Sequence, residues 1–303
     1  MIPADETGFD RVLQFTLPAR HARGRVVRLG PVLDTVLSAH DYPAPIRNLL
    51  AEALVLAALI GSLLKADGED GGAGGQLTMQ AQTQDGVVDL LACDHKSGAM
   101  RGYVRFDRAR LDELGPAPTL FALFGNGYLA ITFDLEETGQ RYQGIVPLEG
   151  RSLAEACEHY FMQSEQVPTL IRVGIERTAT GMAAGGLLVQ HLAEGEEGRE
   201  RLHVRLDHPE WEHVAALGQS IRKDELTDPE LSLEALIWRL FHEESEIRVL
   251  TGQPLSRGCR CTVEHYRQVL ARFPADELAE MRDEDGAIVV DCAFCSRDFR
   301  IDL

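Results

Sequence analysis

Apolar positions along this chain change their period several times, and each change predicts an element. The longest apolar run, "LLAEALVLAALIGSLL" (49–64), is hydrophobic nearly all round, the pattern of a helix buried on every side. Before it, "HDYPAPIRN" places Pro43 and Pro45 where a turn and a first helical turn accept them, so the helix is expected to run to about Lys65. The run is shorter than the ~18 residues usual for a membrane span and carries Glu52 near its start, so a core helix and no membrane contact are expected. The glycine-rich "ADGEDGGAGG" (66–75) ends it. That stretch leads into Gln76 rather than the Gly-Lys-Ser/Thr of a phosphate loop, so it is expected to be a connection.

Strand-like segments follow at "QLTMQAQT" (76–83), "GVVDLLACD" (86–94), "MRGYVRFD" (100–107), "GYLAITFDL" (127–135) and "RYQGIVPL" (141–148). Turn-rich pieces such as "DHKSG" and "EETGQ" join them at spacings that suit antiparallel pairing. A helix is expected over 152–165, with Ser152 and Glu155 spaced as a capping box. "TLIRVGIERTA" and "GGLLVQHL" read as two further strands. Only the first forty residues lack a decisive period. Residues 1–192 therefore read as one α+β domain, an antiparallel sheet with helices.

Beyond it the pattern changes. In "AEGEEGRERLHVRLDH" (193–208) apolar residues thin and charges dominate, as in a solvated linker or a marginal structure resting on a neighbour. "PEWEHVAALGQSIRKDEL" (209–226) reads as one amphipathic helix, with Trp211, Val214, Leu217 or Gly218, and Ile221 on one side. Thr227 and Glu230 offer a capping box for a next helix, whose stripe is Leu233, Leu236, Ile237, Leu240 and Phe241. Tyr266, Val269, Leu270 and Phe273 fall at helical spacing, and "GAIVVDCAFCSRDFRI" (286–301) reads as a hairpin with two cysteines at its turn. The expected division is a core over 1–192, a charged helical linker over 193–231 and a small C-terminal domain over 232–303.

Composition adds two constraints. A chain of 303 residues usually exceeds one core. Its formal net charge of -18 should repel polyanions, and the one mixed basic stretch, "VRFDRAR" (104–110), is too short to attract nucleic acid. The N-terminus lacks a basic region followed by an apolar one, so a cytoplasmic location is expected.

In a reducing compartment, clustered cysteines point to metal or redox chemistry before structural disulfides. Of six cysteines, Cys259, Cys261, Cys292 and Cys295 fall in the last forty-five residues, as C-x-C and C-x-x-C pairs thirty residues apart. Two such pairs can converge on one tetrahedral Zn²⁺, and four thiolates leave no open position for a catalytic water. One reading is a permanent structural clip for a small domain. Another is a switch: the close pairs can oxidise, the ligands are then lost, and a domain that depends on its metal unfolds. His265, four residues beyond Cys261, is an alternative ligand. A thioredoxin-like reading of Cys292 and Cys295 would need a helix after the motif, and only eight residues follow Cys295. Cys93 and Cys157, in a strand-like run and on a helix, are expected as packed core thiols.

This cysteine arrangement resembles that of the redox-regulated 33 kDa chaperonin family, bacterial heat-shock holdases. The resemblance extends through "HDYPAPIRNLLAE", "GNGYLAIT", "GQRYQGIVPLEG", "YFMQSEQVPT", "AAGGLLVQ" and "LIWRLFHEE", nearly the whole chain. It implies that the reduced protein holds one Zn²⁺ through Cys259, Cys261, Cys292 and Cys295 and is a poor chaperone. Oxidant, usually with heat, would form Cys259–Cys261 and Cys292–Cys295 disulfides and release the metal. The C-terminal domain and linker would then unfold, and the protein would bind unfolding clients without ATP or catalytic turnover. Reducing systems, downstream ATP-dependent foldases and a homodimeric active form are implied as well, with the core domain the candidate for client binding and dimerisation. Members often carry a longer tail after the last cysteine. The residues themselves leave two rivals open: a zinc-ribbon regulatory or nucleic-acid-binding module with permanent metal, and a thiol–disulfide oxidoreductase.

Overall fold

The computed structural model describes residues 8–64, 74–179, 181–192 and 208–302. Strands β1 (Arg11–Leu17) and β2 (Ala22–Leu29) lead through α1 (Pro31–Leu37) into the long helix α2 (Ala44–Gly61). Next come β3 (Gly75–Gln82), β4 (Val88–Lys96), β5 (Ala99–Phe106), α3 (Arg108–Leu114), α4 (Leu120–Phe124), β6 (Tyr128–Leu135) and β7 (Gln140–Pro147). Helix α5 (Leu153–Tyr160), extended by a wider turn over 161–165, precedes β8 (Thr169–Arg177) and β9 (Met182–His191). The C-terminal part holds α6 (Pro209–Gln219), α7 (Lys223–Thr227), α8 (Leu233–Phe241), β10 (Arg248–Pro254), β11 (Ser256–Arg257), α9 (Val263–Leu270), α10 (Ala275–Glu280), β12 (Ile288–Asp291) and β13 (Asp298–Ile301). The mixed α+β class expected from the periodicity is what the chain adopts.

Helix α2 lies between two sheets, which explains its uniform apolarity. Leu50 and Leu54 meet Gly102 and Cys93 of the six-stranded sheet, ordered β11-β5-β4-β3-β6-β7. Val55 and Leu59 press on Gly186 of the five-stranded sheet, ordered β10-β1-β2-β9-β8. Each fully buried leucine in such a sandwich contributes ~1.5–3 kcal/mol. The helix is long and apolar enough to cross a membrane by length and composition, but 72% of it is buried inside the protein. It ends where Gly61 lets the His95 ring approach: a Cβ there would stand 2.4 Å from His95 Nδ1.

The five-stranded sheet is antiparallel throughout and carries a second core on its other face. Leu13, Phe15, Leu17, Val26, Leu187 and Val189 point away from α2 and are covered by Val214, Ile221, Leu226, Leu233, Leu236, Ile237 and Phe241 from α6, α7, α8 and the turns between them. Neighbours Val27 and Leu188 face the first core instead. Strands buried on both faces lose the apolar–polar alternation that marks a half-exposed strand. That is why the first forty residues showed no period.

Two expectations need correction, and the stretch after 232 has a definite place. The single helix over 209–226 is two, α6 and α7, separated at 220–222, where Ser220 Oγ donates back to Leu217 O. The Thr227 and Glu230 cap is not formed: Ser232 caps α8 by accepting from Ala235 N, while buried Thr227 donates to Glu176. The chain between α7 and α8 is needed as a turn containing Pro229, so the later serine takes the cap. Finally, α8 packs into the second core and β10 extends the five-stranded sheet, so the stretch just after 232 lies on the N-terminal body. The charged segment 193–207 and most of the glycine-rich connection fall outside the described residues.

Candidate metal centre

Each cysteine pair is positioned by a different local device. Gly258 N donates to Met100 O at 2.8 Å, holding the chain along β5 until it turns off into Cys259. A side chain at Gly258 would meet Ala99 Cβ at 2.4 Å, so only glycine permits this approach. After Cys261, Thr262 accepts from His265 N and starts α9. The second pair sits at the turn of the β12–β13 hairpin, as its alternation predicts. There Cys292 N donates to Arg297 O at 3.0 Å, Cys295 N and Ser296 N both donate to Cys292 O, and Ser296 takes a left-handed φ of 51°.

The two devices bring all four sulfurs within 4.8 Å of one another. Cys259 Sγ stands 3.2 Å from Cys261 Sγ and 3.5 Å from Cys292 Sγ, and Cys261 Sγ stands 3.5 Å from Cys295 Sγ. These are thiols, far beyond a covalent S–S length of about 2.05 Å. Tetrahedral thiolates bound at about 2.3 Å to one ion stand ~3.8 Å apart, so the cluster fits a four-sulfur metal site. Cys261, Cys292 and Cys295 are buried, and Tyr266, Phe294 and Phe299 pack around them.

The electrostatics divide the sulfurs. Burial pushes Cys259 up to about 12, reinforced by the neighbouring Cys261 thiol, and burial also raises Cys261. Burial opposes ionisation of Cys295 too, but a hydrogen bond from Arg297 and the backbone outweighs it and brings the group to about 6. Cys292 is lowered in the same sense by Tyr266 and by the Phe294 and Cys295 N–H groups, against its burial. Thus the hairpin turn supplies N–H and guanidinium donors to sulfur, the environment that favours thiolate. Arg297 also reaches Cys261 Sγ at 3.5 Å.

The residues between the cysteines touch the N-terminal body. Arg260, inside C-x-C, donates to Asp94 Oδ2 and Gln76 Oε1, both at 2.6 Å. Asp94 is almost fully buried and also holds Arg101. Inside C-x-x-C, Ala293 O accepts from the His40 ring at 2.8 Å, and Phe294 stands edge-on to Tyr103 at 5.0 Å under the Arg101 guanidinium at 4.0 Å. Nothing in the sequence pairs these positions with 40, 94, 101 or 103. The cue available was that Arg260 and Phe294 are too large to be mere spacers.

Other candidates separate from the cluster. His265 turns its ring toward Tyr266 and is not among the clustered groups. Cys93 and Cys157 are fully buried, and burial pushes their thiols well above the ordinary value. After Cys295 the chain enters strand β13 rather than a helix, unlike a thioredoxin-type motif. In the 104–110 stretch, Arg105 and Arg108 pair with Asp89 and Asp41, while Arg110 donates to the carbonyls of Asp85 and Gly86.

Comparison with known proteins places the whole chain beside one family. The family model described as Hsp33 protein matches residues 10–302. A 33 kDa chaperonin of Caulobacter vibrioides is 42% identical over 309 residues, covering 99% of this chain and 97% of the relative. One from Yersinia pestis is 34% identical over 286 residues, covering 94% and 89%. The crystal structure of the Thermotoga maritima 33 kDa chaperonin superposes with a TM-score of 0.75 at 21% identity, covering 96% of this chain and 94% of that one, and so supports the fold. With the family model spanning both sheets and the cysteine cluster, and relatives aligned nearly end to end, this chain belongs to the Hsp33 family, whose named members are chaperonins.

Proposed function

We propose that this chain is an oxidation-activated, ATP-independent holdase, inactive while Cys259, Cys261, Cys292 and Cys295 hold one Zn²⁺. The observation that carries the reading is the four-sulfur cluster whose intervening residues are also the contacts to the body. Zinc bound there would supply a closed structural clamp with no open position for water.

The unit around the cluster cannot stand without that clamp. Its own apolar core consists of buried Leu270, Ile288 and Ile301 with a few partly buried neighbours. A small domain retains only ~3–5 kcal/mol of net stability, whereas a structural zinc contributes on the order of 10–16 kcal/mol. Oxidation removes the clamp. In each pair two thiolates would give two electrons to one peroxide, which takes two protons from solvent and leaves as two waters; an S–S bond forms, and the ion those sulfurs held would be released. The assigned pairs are Cys259–Cys261 and Cys292–Cys295, each local in sequence, so neither replaces the cross-link between the two loops.

Loss of the turn geometry takes the contacts at His40, Asp94, Tyr103 and Arg101 with it. Beyond them, β10 is held by backbone pairing with β1, and α8, α7 and α6 chiefly by the second core. We assign the core to 1–192, the metastable linker to 193–231 and the switch unit to 232–303. That boundary is one of function, since α8 packs on the sheet in the closed protein. Once the linker and α8 lift, the apolar face with Leu13, Phe15 and Val26 and the undocked helices offer surface to unfolded clients. The net charge of -18 keeps the opened protein soluble. Cytoplasmic location, a homodimeric active form, reduction by cellular thiol systems and client transfer to ATP-dependent foldases complete the reading.

The test compares aggregation of a heat-denaturing client with reduced, zinc-loaded protein and with peroxide-treated protein, while mass spectrometry of alkylated cysteines maps the disulfides. Stoichiometric protection by the oxidised form alone, with both local pairs formed, is expected. Equal protection by the two forms would overturn the switch, and catalytic reduction of insulin would move the reading to an oxidoreductase.

A further inference from the structure

Among the groups by which the sheet holds the chain from α7 to α8 is one side chain whose hydrogen bonds all go to backbone. Arg28, on β2, is fully buried. Its Nε donates to Leu226 O at 2.9 Å, Nη1 to Leu231 O at 2.8 Å and Nη2 to Glu225 O at 3.1 Å. The carbonyls of Glu225 and Leu226 lie at the end of a short helix, where no further turn supplies N–H donors. The guanidinium fork takes their place.

A glycine floor beside the fork makes this approach possible. Gly185 pairs with Arg28 across one ladder and with Gly174 across the other. A Cβ on Gly174 would stand 2.4 Å from Lys223 O, and one on Gly185 would stand 2.2 Å from Leu226 O. The α7 backbone therefore rests directly on the sheet. Burial draws Arg28 down to about 10, so it stays charged at neutral pH, favoured by Asp228 and opposed by Arg11.

A buried cation whose donors all go to carbonyls is compensated only while polypeptide backbone lies on it. When the linker lifts, the same fork is left amid the apolar face of Leu13, Val26 and Leu187. An unfolded chain is rich in the two things that would cover this surface: apolar side chains and unpaired carbonyls. We propose that Arg28 is a backbone-reading seat, closed in the resting protein by residues 225–231 and taken in the opened protein by the backbone carbonyls of an unfolded client. The idea rests on the holdase reading and adds how clients of unrelated sequence share one anchor.

The test uses full-length Arg28→Met, with Arg28→Lys beside it as the variant that keeps a charge but cannot span three carbonyls. Hydrogen exchange is read in the reduced, zinc-loaded proteins. The amides of Leu226, Asp228 and Leu231 should exchange at least about tenfold faster than in wild type, while the β2–β9 ladder keeps its protection. Affinity of the oxidised proteins for reduced, carboxymethylated α-lactalbumin, a permanently unfolded chain, should fall about tenfold. Unchanged exchange at those amides overturns the seat. So does faster exchange with undiminished client affinity, since the fork would then be a latch alone. If Arg28→Met does not fold, Arg28→Lys decides by the same two readouts. Failure of the holdase reading looks different: oxidised wild type would itself bind no client, while the exchange arm would still report on the closed seat.

Discussion

Replacing Phe294 by Ala isolates the contact between the cysteine unit and the body without touching a sulfur. Phe294 meets Tyr103 edge-on at 5.0 Å and lies under Arg101 at 4.0 Å. An edge-to-face aromatic pair is worth about 0.5–1.5 kcal/mol and a partly buried cation–π contact about 0.5–2 kcal/mol. Together they stabilise docking by ~1–3 kcal/mol, or about 5- to 150-fold in the docked population. Two amides report docking directly: Ser256 N, bound to Gly98 O at 2.9 Å, and Gly258 N, bound to Met100 O at 2.8 Å. Two others report the turn itself, Cys295 N and Ser296 N, both bound to Cys292 O. In reduced, zinc-loaded Phe294→Ala, exchange at the docking pair should rise by that factor while the turn pair stays protected. Wild-type exchange at Ser256 and Gly258 would refute the assigned contact. Loss of protection at all four would show that Phe294 supports the metal site rather than the docking.

Three further outcomes follow from the same geometry. Cys259→Ser and Cys261→Ser should each bind zinc more weakly in a competition titration and protect a client without oxidant; unchanged metal affinity in both would count against the four-sulfur site. Phe15→Ala, which empties a buried ring 5.4 Å from Phe241, should lower stability by about 3–5 kcal/mol in urea unfolding and loosen α8, and a loss below about 1 kcal/mol would contradict the second core. His95 is held by burial at about 4, and its Nδ1 has no hydrogen-bond partner among the described residues. A histidine depressed in the folded state stabilises above its unfolded pKa of about 6.5 and loses that contribution as pH falls toward the folded value. Between pH 7.5 and 5 this amounts to ~2 kcal/mol, so His95→Leu should be less acid-sensitive than wild type by that difference, and parallel pH profiles would exclude it.

Where one face of an element is buried, the sequence made it legible. In the six-stranded sheet β3 and β5 keep their alternation, and β3 through β7 fell within two residues of the expected segments. The hairpin carrying Cys292 and Cys295 was visible for the same reason. Strands β1 and β2 were not, because α2 on one side and α6 to α8 on the other bury both faces. Strand β10 escaped notice for the opposite reason: it is an exposed edge strand whose place depends on backbone pairing with β1. The four sulfurs could be named from spacing, since two close pairs at turns suffice to build a tetrahedron. Their coupling to the body could not, because Arg260 with Asp94 and Phe294 with Tyr103 are partners more than 160 residues apart. Arg28 was silent for a further reason: its partners are carbonyls, which every residue has.

The most direct test of the central claim follows metal and client in one sample. Reduced, zinc-loaded protein is treated with peroxide at mild heat while a chromogenic chelator reports zinc and light scattering reports a heat-denaturing client. About one zinc per chain should leave, and scattering should be suppressed only afterwards. Protection while zinc stays bound, or aggregation that continues after zinc has left, would contradict that claim.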